Sequence, residues 1–293
     1  MQHSLLSGIK ALLREQQLPM ALIDDVKDYY LPFVDKLKQH KRHGMLVLGV
    51  NGAQGSGKST LATIVKRLCE DRHGWSVAVL SLDDLYLERE ARRKLAADVH
   101  PLLMTRGVPG THDVQLGIDT IAQLAAAGAD DVARLPRFDK ATDEPFAEDQ
   151  WPEQSGPVDL LIFEGWCLAC RPQTAAELLA PCNALEVEED ADGMWRRFVN
   201  RQLGEHYRLL FGLIDVLLFL KVPDMQAVLR WRGEQEDKLA DKSATLSDLM
   251  DAAALAHFVS HFERLTRHQL IQLPQYADVV FELDKNHRIV SAR

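Results

Sequence analysis

Gly52-Ala53-Gln54-Gly55-Ser56-Gly57-Lys58-Ser59, followed by Thr60, fits the pattern G-x-x-x-x-G-K-[ST] without a gap. The run before it, Met45-Leu-Val-Leu-Gly-Val50, is apolar and β-branched and predicts a buried strand. After it, Leu61, Ile64, Val65 and Leu68 recur at i, i+3, i+4 and i+7, which predicts an amphipathic helix. Strand, glycine loop and helix start together make an anion site. The glycines let backbone N–H groups turn inward, and the helix N-terminus adds unpaired donors and a favourable dipole. Lys58 is long enough to reach the β- and γ-phosphates of a nucleotide, and the Ser59 hydroxyl suits a Mg²⁺ position. The nine residues Gly52, Ala53, Gln54, Gly55, Ser56, Gly57, Lys58, Ser59 and Thr60 are therefore candidate nucleotide ligands.

Working outward, Trp75-Ser-Val-Ala-Val-Leu80 reads as a second buried strand that runs into Ser81-Leu82-Asp83-Asp84-Leu85-Tyr86. Strand, helix and strand make a βαβ unit, so the two strands should be parallel. Carboxylates just past the C-terminal end of such a strand face the same crevice as the glycine loop. Asp83 is then placed to orient or deprotonate an acceptor hydroxyl, and Asp84 to help hold Mg²⁺ or to solvate the turn. Val158-Asp-Leu-Leu-Ile-Phe163-Glu164 is a third strand with an acid at its end, where a carboxylate completes a Mg²⁺ shell. Ile214–Leu220 and Ala277–Leu283 read as the remaining strands, the second of them the last.

Between these lie less regular stretches. Glu88–Lys94 reads as a solvent-facing charged helix and Leu116–Ala127 as another helix. The loops Thr105–Asp113 and Pro136–Pro157 are rich in turn formers, and long loops in compact domains are commonly functional or mobile. Arg106, His112 and Arg137 have the chemistry to bind an acidic substrate, or equally to pair with nearby acids. Met225–Lys242 reads as a charged helix carrying Arg230 and Arg232, suited either to a lid over phosphates or to a salt-bridged surface. Ser247–Leu270 follows as a helix with Leu255, Phe258, Val259, Phe262 and Leu265 as its buried stripe. Residues 1–44 read as a helical extension packed on a single domain, 45–293, with Pro32 punctuating its second helical piece.

The bulk properties narrow the class. A 46% hydrophobic and 26% charged composition is that of an ordinary globular protein, and no apolar run approaches the roughly 20 residues of a membrane span. A net charge of −9 argues against a general nucleic-acid binder, which needs a basic face. With no membrane span and an amphipathic rather than continuously apolar N-terminus, the expected location is the cytoplasm. Cys69, Cys167, Cys170 and Cys182 are too few for a disulfide framework. Cys167-Leu-Ala-Cys170 reads as two semi-buried residues after a strand, since no second ligand pair at metal spacing accompanies it. His257 and His261, four apart, read as surface histidines for the same reason.

The motifs in order are Gly52–Thr60, Ser81–Tyr86, Arg106-Gly-Val-Pro-Gly-Thr-His-Asp113, Pro136-Arg-Phe-Asp-Lys140, Phe163-Glu-Gly-Trp166, Val199-Asn200 and Arg230-Trp-Arg232. This set resembles the plant/fungal-type D-glycerate 3-kinase family, within the wider phosphoribulokinase, uridine kinase and pantothenate kinase group, over about residues 45–284. The resemblance implies a three-layer α/β sandwich of the P-loop NTPase type, with a mainly parallel sheet and lid helices. It implies MgATP-dependent phosphorylation of a small hydroxy compound, foremost D-glycerate; the net charge and the lack of an apolar span point to no nucleic-acid or membrane partner. Under it Asp83 matches the catalytic base, Lys58 and Ser59 the phosphate and Mg²⁺ ligands, and Arg230 or Arg232 the lid arginine. Tyr86, Arg106, His112, Arg137 and Asp139 fall where acceptor-binding residues are expected. Leu85 and Val108-Pro109 depart from the family's usual Phe and Asn-Ala near that pocket, which leaves the acceptor open. A nucleoside or a pantothenate-like acid is the alternative acceptor, and a slow regulatory ATPase the alternative class.

Overall fold

The structure, a computed structural model, describes residues 2–240 and 251–293, with side chains described for 5–234 and 251–293. Its centre is a six-stranded sheet of Leu46–Gly52 (β1), Val77–Ser81 (β2), Leu160–Gly165 (β3), Val216–Lys221 (β4), Val279–Leu283 (β5) and Ile289–Ala292 (β6). The strands lie in the order β2-β3-β1-β4-β5-β6. The first five run parallel and β6 pairs antiparallel to β5. β1 and β3 are buried along their whole length, which explains why both read as continuous apolar runs rather than alternating ones.

The chain order departs from the spatial order beside β1, whose neighbours are β3 and β4, and it is there that the Gly52–Ser59 loop leaves the sheet. Such a reversal opens a crevice at the C-terminal ends of the strands. Register then levels the chemistry. Glu164 at the end of β3 sits opposite Val50 on one side and Ser81 on the other, so the P-loop, the Walker acid and the Asp83 turn share one edge of the sheet.

Two apolar layers sandwich the sheet. On one face, Leu61, Ile64, Val65 and Leu68 of the helix Lys58–His73 pack with Leu48, Val50, Ile162 and Leu218, as the spacing predicts. The same cluster takes in Leu5, Ile9, Leu13, Val26, Phe33, Val34 and Leu37, so the N-terminal helices share the core of the sheet domain. Asp25 of this extension, nearly buried, is bound bidentately by Arg288 at 2.9 Å for each nitrogen. Pro32 does not interrupt the helical piece. It falls in the first turn of Leu31–His40, directly after the π-helical turn Val26–Tyr30, where the widened turn and the helix start leave its missing donor without a partner to lose. On the other face, Leu80, Leu82, Leu161 and Phe163 pack with Leu124, Trp195, Tyr207 and Leu210.

Further sequence expectations are corrected by the structure. The sheet continues past Ala277–Leu283 into β6, whose four residues are too short and too polar to announce a strand. Arg92, expected in a solvent-facing helix, is 1% exposed and donates to the carbonyls of Leu87, Met104 and Asp143 and to the Asp143 carboxylate. His261 is buried against Trp195 rather than lying on the surface, while His257 is exposed and meets Glu189 at 2.7 Å. Cys167 and Cys170 are free thiols fully inside the second core, and burial pushes both far up from the usual thiol range. The helix expected over Ser247–Leu270 is described from Ala252 to Gln272, and its first residues, with Lys242, lie outside the described residues.

Candidate active site

A cleft of about 510 Å³ opens at the C-terminal edge of the sheet, with Gln54, Gly55, Lys58 and Ser59 on one wall. Asp83, Tyr86, Arg106 and Lys140 form the facing wall, Glu164 and Trp166 the floor, and Arg232, Phe258 and Phe262 the rim contributed by the last two long helices.

The phosphate wall is built by glycine geometry. Gly55 and Gly57 hold φ of +76° and +90°, a region that favours glycine. An ideal Cβ on Gly55 would lie 2.7 Å from the Cβ of Trp231, so the loop also abuts the helix Met225–Ala240 directly. Lys58 and Ser59 open the helix Lys58–His73, whose first N–H groups have no carbonyl within the helix to bond. The Ser56 hydroxyl, 4% exposed, has no hydrogen-bond partner among the described residues, as suits a loop shaped to close on phosphate oxygens. Burial pulls the Lys58 ammonium down from its ordinary range, and the nearby Glu164 and Asp83 carboxylates oppose that shift.

Ser59 donates to Glu164 Oε1 at 3.2 Å, bringing a hydroxyl and a carboxylate together at the cleft floor. Hard oxygen donors of this kind fit Mg²⁺, which is ordinarily held by one or two carboxylates together with substrate phosphates rather than by a protein cage. Among the described residues no group of three or more His, Cys, Asp or Glu gathers that could hold a metal alone.

Asp83 stands in the turn Leu82–Leu85 that continues β2, its N–H bonded to the Ser81 hydroxyl at 3.2 Å. Its carboxylate accepts from the Tyr86 hydroxyl at 2.8 Å and from Lys140 Nζ at 2.6 Å. Burial would raise its pKa, but Lys140, Tyr86 and Lys58 outweigh that and hold it below the usual carboxylate range. Tyr86 is itself fixed by stacking on His112, with ring centroids 4.7 Å apart.

Several expected ligands are not brought into the cleft. Asp84 turns the other way, where Arg137 reaches it at 3.1 Å and the Phe138 N–H at 3.3 Å, so neither Asp84 nor Arg137 faces the phosphate wall. Burial raises the Asp84 pKa, with Arg137 opposing. Asp139 spends its carboxylate on the Ala141 N–H and the Thr142 hydroxyl. His112 lies behind Tyr86 and meets the Tyr207 hydroxyl at 2.6 Å; burial drives its pKa down to about 3, so it is neutral and cannot act as an anion's counter-charge. Arg230 donates to the Lys285 carbonyl at 3.2 Å, outside the cleft. Arg232, two residues on and therefore on another side of the helix, lines it. Arg106 lines it as well, ion-paired with Asp143 and with its guanidinium 6.0 Å from the Tyr86 ring centre. Leu85 and Val108 are core residues, so two of the family departures lie behind the pocket wall rather than on it.

Sequence reasoning missed Lys140, Trp166, Phe258 and Phe262 as wall residues. Lys140 and Trp166 ended motifs that were visible, whereas the two phenylalanines carried only a core-stripe signal. Phe262 meets Trp166 edge-on at 5.0 Å, and Trp166 donates to the Gly107 carbonyl at 2.8 Å.

A P-loop at the reversal point of a parallel sheet, with a Walker acid level with it and a carboxylate across the cleft, defines a P-loop kinase. No family model matches the chain. It is 31% identical to "Uncharacterized kinase mug58" of Schizosaccharomyces pombe over 83% of this chain and 87% of that one. It is also 31% identical to the chloroplastic D-glycerate 3-kinase of Arabidopsis thaliana, over 69% of this chain but only 44% of that protein's length. In architecture it is similar to the solved D-glycerate 3-kinase of Cryptococcus neoformans var. grubii, with a TM-score of 0.74 at 24% identity over 94% of this chain and 99% of that one. The chain belongs to the family of that fission-yeast kinase, carries the P-loop kinase fold, and is an ATP-dependent phosphotransferase with a hydroxyl acceptor. No helix of the described residues is long and apolar enough to cross a membrane.

Proposed function

We propose that the protein transfers the γ-phosphoryl group of MgATP to a hydroxyl of D-glycerate. The observation that carries this reading is the cleft itself, in which Asp83 faces Lys58 and Ser59 across a space lined by Arg106 and Lys140. In it Lys58 and the loop N–H groups would bind the phosphates, and Ser59 and Glu164 would hold Mg²⁺, which would supply neutralisation of the phosphate charge. Asp83 accepts a hydrogen bond from the acceptor hydroxyl and orients it in line. Its lowered pKa makes it a reliable acceptor of that bond at neutral pH and a weak base, which suits a loose transition state in which the nucleophile loses its proton late. Arg232 meets the charge that spreads over the transferring group. Phe258 and Phe262 at the rim and Trp166 at the floor give the cleft apolar surface that disfavours water competing with the acceptor. The four unpaired thiols accord with a cytoplasmic location, which forms part of the same proposal.

The test is ADP release with MgATP against D-glycerate, uridine, pantothenate and ribulose 5-phosphate. Turnover dependent on D-glycerate is the expected result. Turnover with another member of the panel would overturn the acceptor assignment, and release independent of all four would overturn acceptor-linked transfer as the main activity.

A further inference from the structure

We propose that Lys140 is the residue that selects a carboxylate-bearing acceptor, gripping the acceptor's carboxylate while holding Asp83 in place; this rests on the glycerate reading above. The cleft wall offers four side-chain cations, and three of them have other work. Lys58 belongs to the phosphate loop, Arg232 stands at the rim, and Arg106 is ion-paired with Asp143. Lys140 is 58% exposed and reaches into the cleft, where among the described residues its ion pair is with Asp83 Oδ2 at 2.6 Å. An ammonium has three donors, so two are left to point at whatever lies beside Asp83. An acceptor whose hydroxyl meets Asp83 therefore brings its other end within reach of Lys140.

The position is built rather than incidental. Lys140 follows the short ribbon of Phe138–Asp139 paired with Glu144–Pro145. Asp139 folds the next turn by accepting from the Ala141 N–H. On the far side Asp143, at a φ of +62°, is clamped by the buried Arg92 through both its carbonyl, at 3.0 Å, and its carboxylate, at 2.7 Å. A side chain carried on so tethered a loop is pre-organised, which is what selection of a small anion requires. The sequence places the same lysine at the end of Pro136-Arg-Phe-Asp-Lys140, where Arg137 pairs with Asp84 and Asp139 folds the following turn.

The experiment compares wild type with Lys140→Met and Lys140→Arg, reading kcat and KM for D-glycerate and, separately, KM for ATP. Wild-type turnover of D-glycerate is established first, because its failure refutes the acceptor and not the lysine. With Lys140→Met the KM for glycerate is expected to rise at least tenfold while kcat changes less than tenfold and KM for ATP stays within twofold; Lys140→Arg is expected to recover much of the loss. Glycerate KM unchanged in Lys140→Met, or kcat lost with KM intact, would overturn the proposal, the second outcome assigning Lys140 to Asp83 alone. Being half exposed, the residue can be changed without threat to folding, and a circular dichroism melt checks this.

Discussion

Gly107→Ala is the substitution for which the structure fixes both cause and size. Gly107 holds φ at +135°, outside both right-handed and left-handed helical regions, and an ideal Cβ there would lie 2.5 and 2.6 Å from Phe262 ring carbons. Forcing a side chain into that backbone region costs about 1–3 kcal/mol. Wedging a methyl group into a packed ring adds about 1–3 kcal/mol of strain. The sum is about 2–6 kcal/mol, with the upper part reached only if Phe262 cannot retreat. Gly74→Ala separates the two causes. Gly74 closes the helix Lys58–His73 at a φ of +67° with nothing within 4 Å of a Cβ, so only a backbone cost of about 1–2 kcal/mol applies. Urea unfolding of both variants gives the comparison, and the midpoint shift read at constant m-value gives the free energy. The double change Gly107→Ala with Phe262→Leu should recover part of the loss, since the clash partner becomes mobile. Activity should suffer beyond stability, because Phe262 rims the cleft and braces Trp166. A Gly107→Ala variant no less stable than Gly74→Ala would show that the Phe262 contact carries no cost.

Other predictions follow from buried charge. Arg264 donates to both oxygens of Glu186 at 2.6 Å, and Glu186 is fully buried, so Arg264→Met should cost about 3–5 kcal/mol in urea unfolding by stranding a carboxylate. Burial raises the Glu186 pKa but the Arg264 bonds overcome it; with the folded pKa below the unfolded one, the pair's contribution is present above the unfolded value and is lost as pH falls through the folded value. His112 works in the same direction by a different route. Its folded pKa of about 3 lies below the unfolded value of about 6.5, so the unfolded chain binds the extra proton in between and stability declines as pH drops through that window. Thermal melts of His112→Phe should lose part of this decline between roughly pH 6 and 4. Asp83 is held below the ordinary carboxylate range mainly by Lys140, so the acid limb of the kcat/KM profile should lie low in wild type and move to higher pH in Lys140→Met.

The parts of the fold that could be read from residues alone were those fixed by local chemistry. The Gly52–Ser59 loop needs its glycines, its lysine and its hydroxyl in one order, and flanking apolar runs announced the strand and helix it joins. Strands β1 and β3 are buried along their whole length and β2, β4 and β5 over most of it, so each carries an apolar run, whereas β6, four residues at the sheet edge, has no such signature. Within the site, composition named the charged residues but not their directions. Asp83 and Asp84 are adjacent in the sequence and diverge only because a 3₁₀ turn sends one into the cleft and the other to Arg137. Arg230 and Arg232 diverge because residues two apart on a helix point to different sides. His112 could not be recognised as neutral from the motif, since its pKa depends on burial under Tyr86 and Tyr207. Lys140 and Asp83 are distant in sequence and become neighbours only through the folded loop.

The most direct test of the account is single-turnover transfer from MgATP to D-glycerate in wild type and Asp83→Asn, with nucleotide affinity measured on both. Stoichiometric phosphoglycerate is expected in wild type, with a transfer rate lower by about 10²–10⁴-fold in Asp83→Asn and nucleotide affinity within a few-fold. Transfer at an unchanged rate in Asp83→Asn would contradict this expectation, because the cleft's facing carboxylate would then have no part in the chemistry.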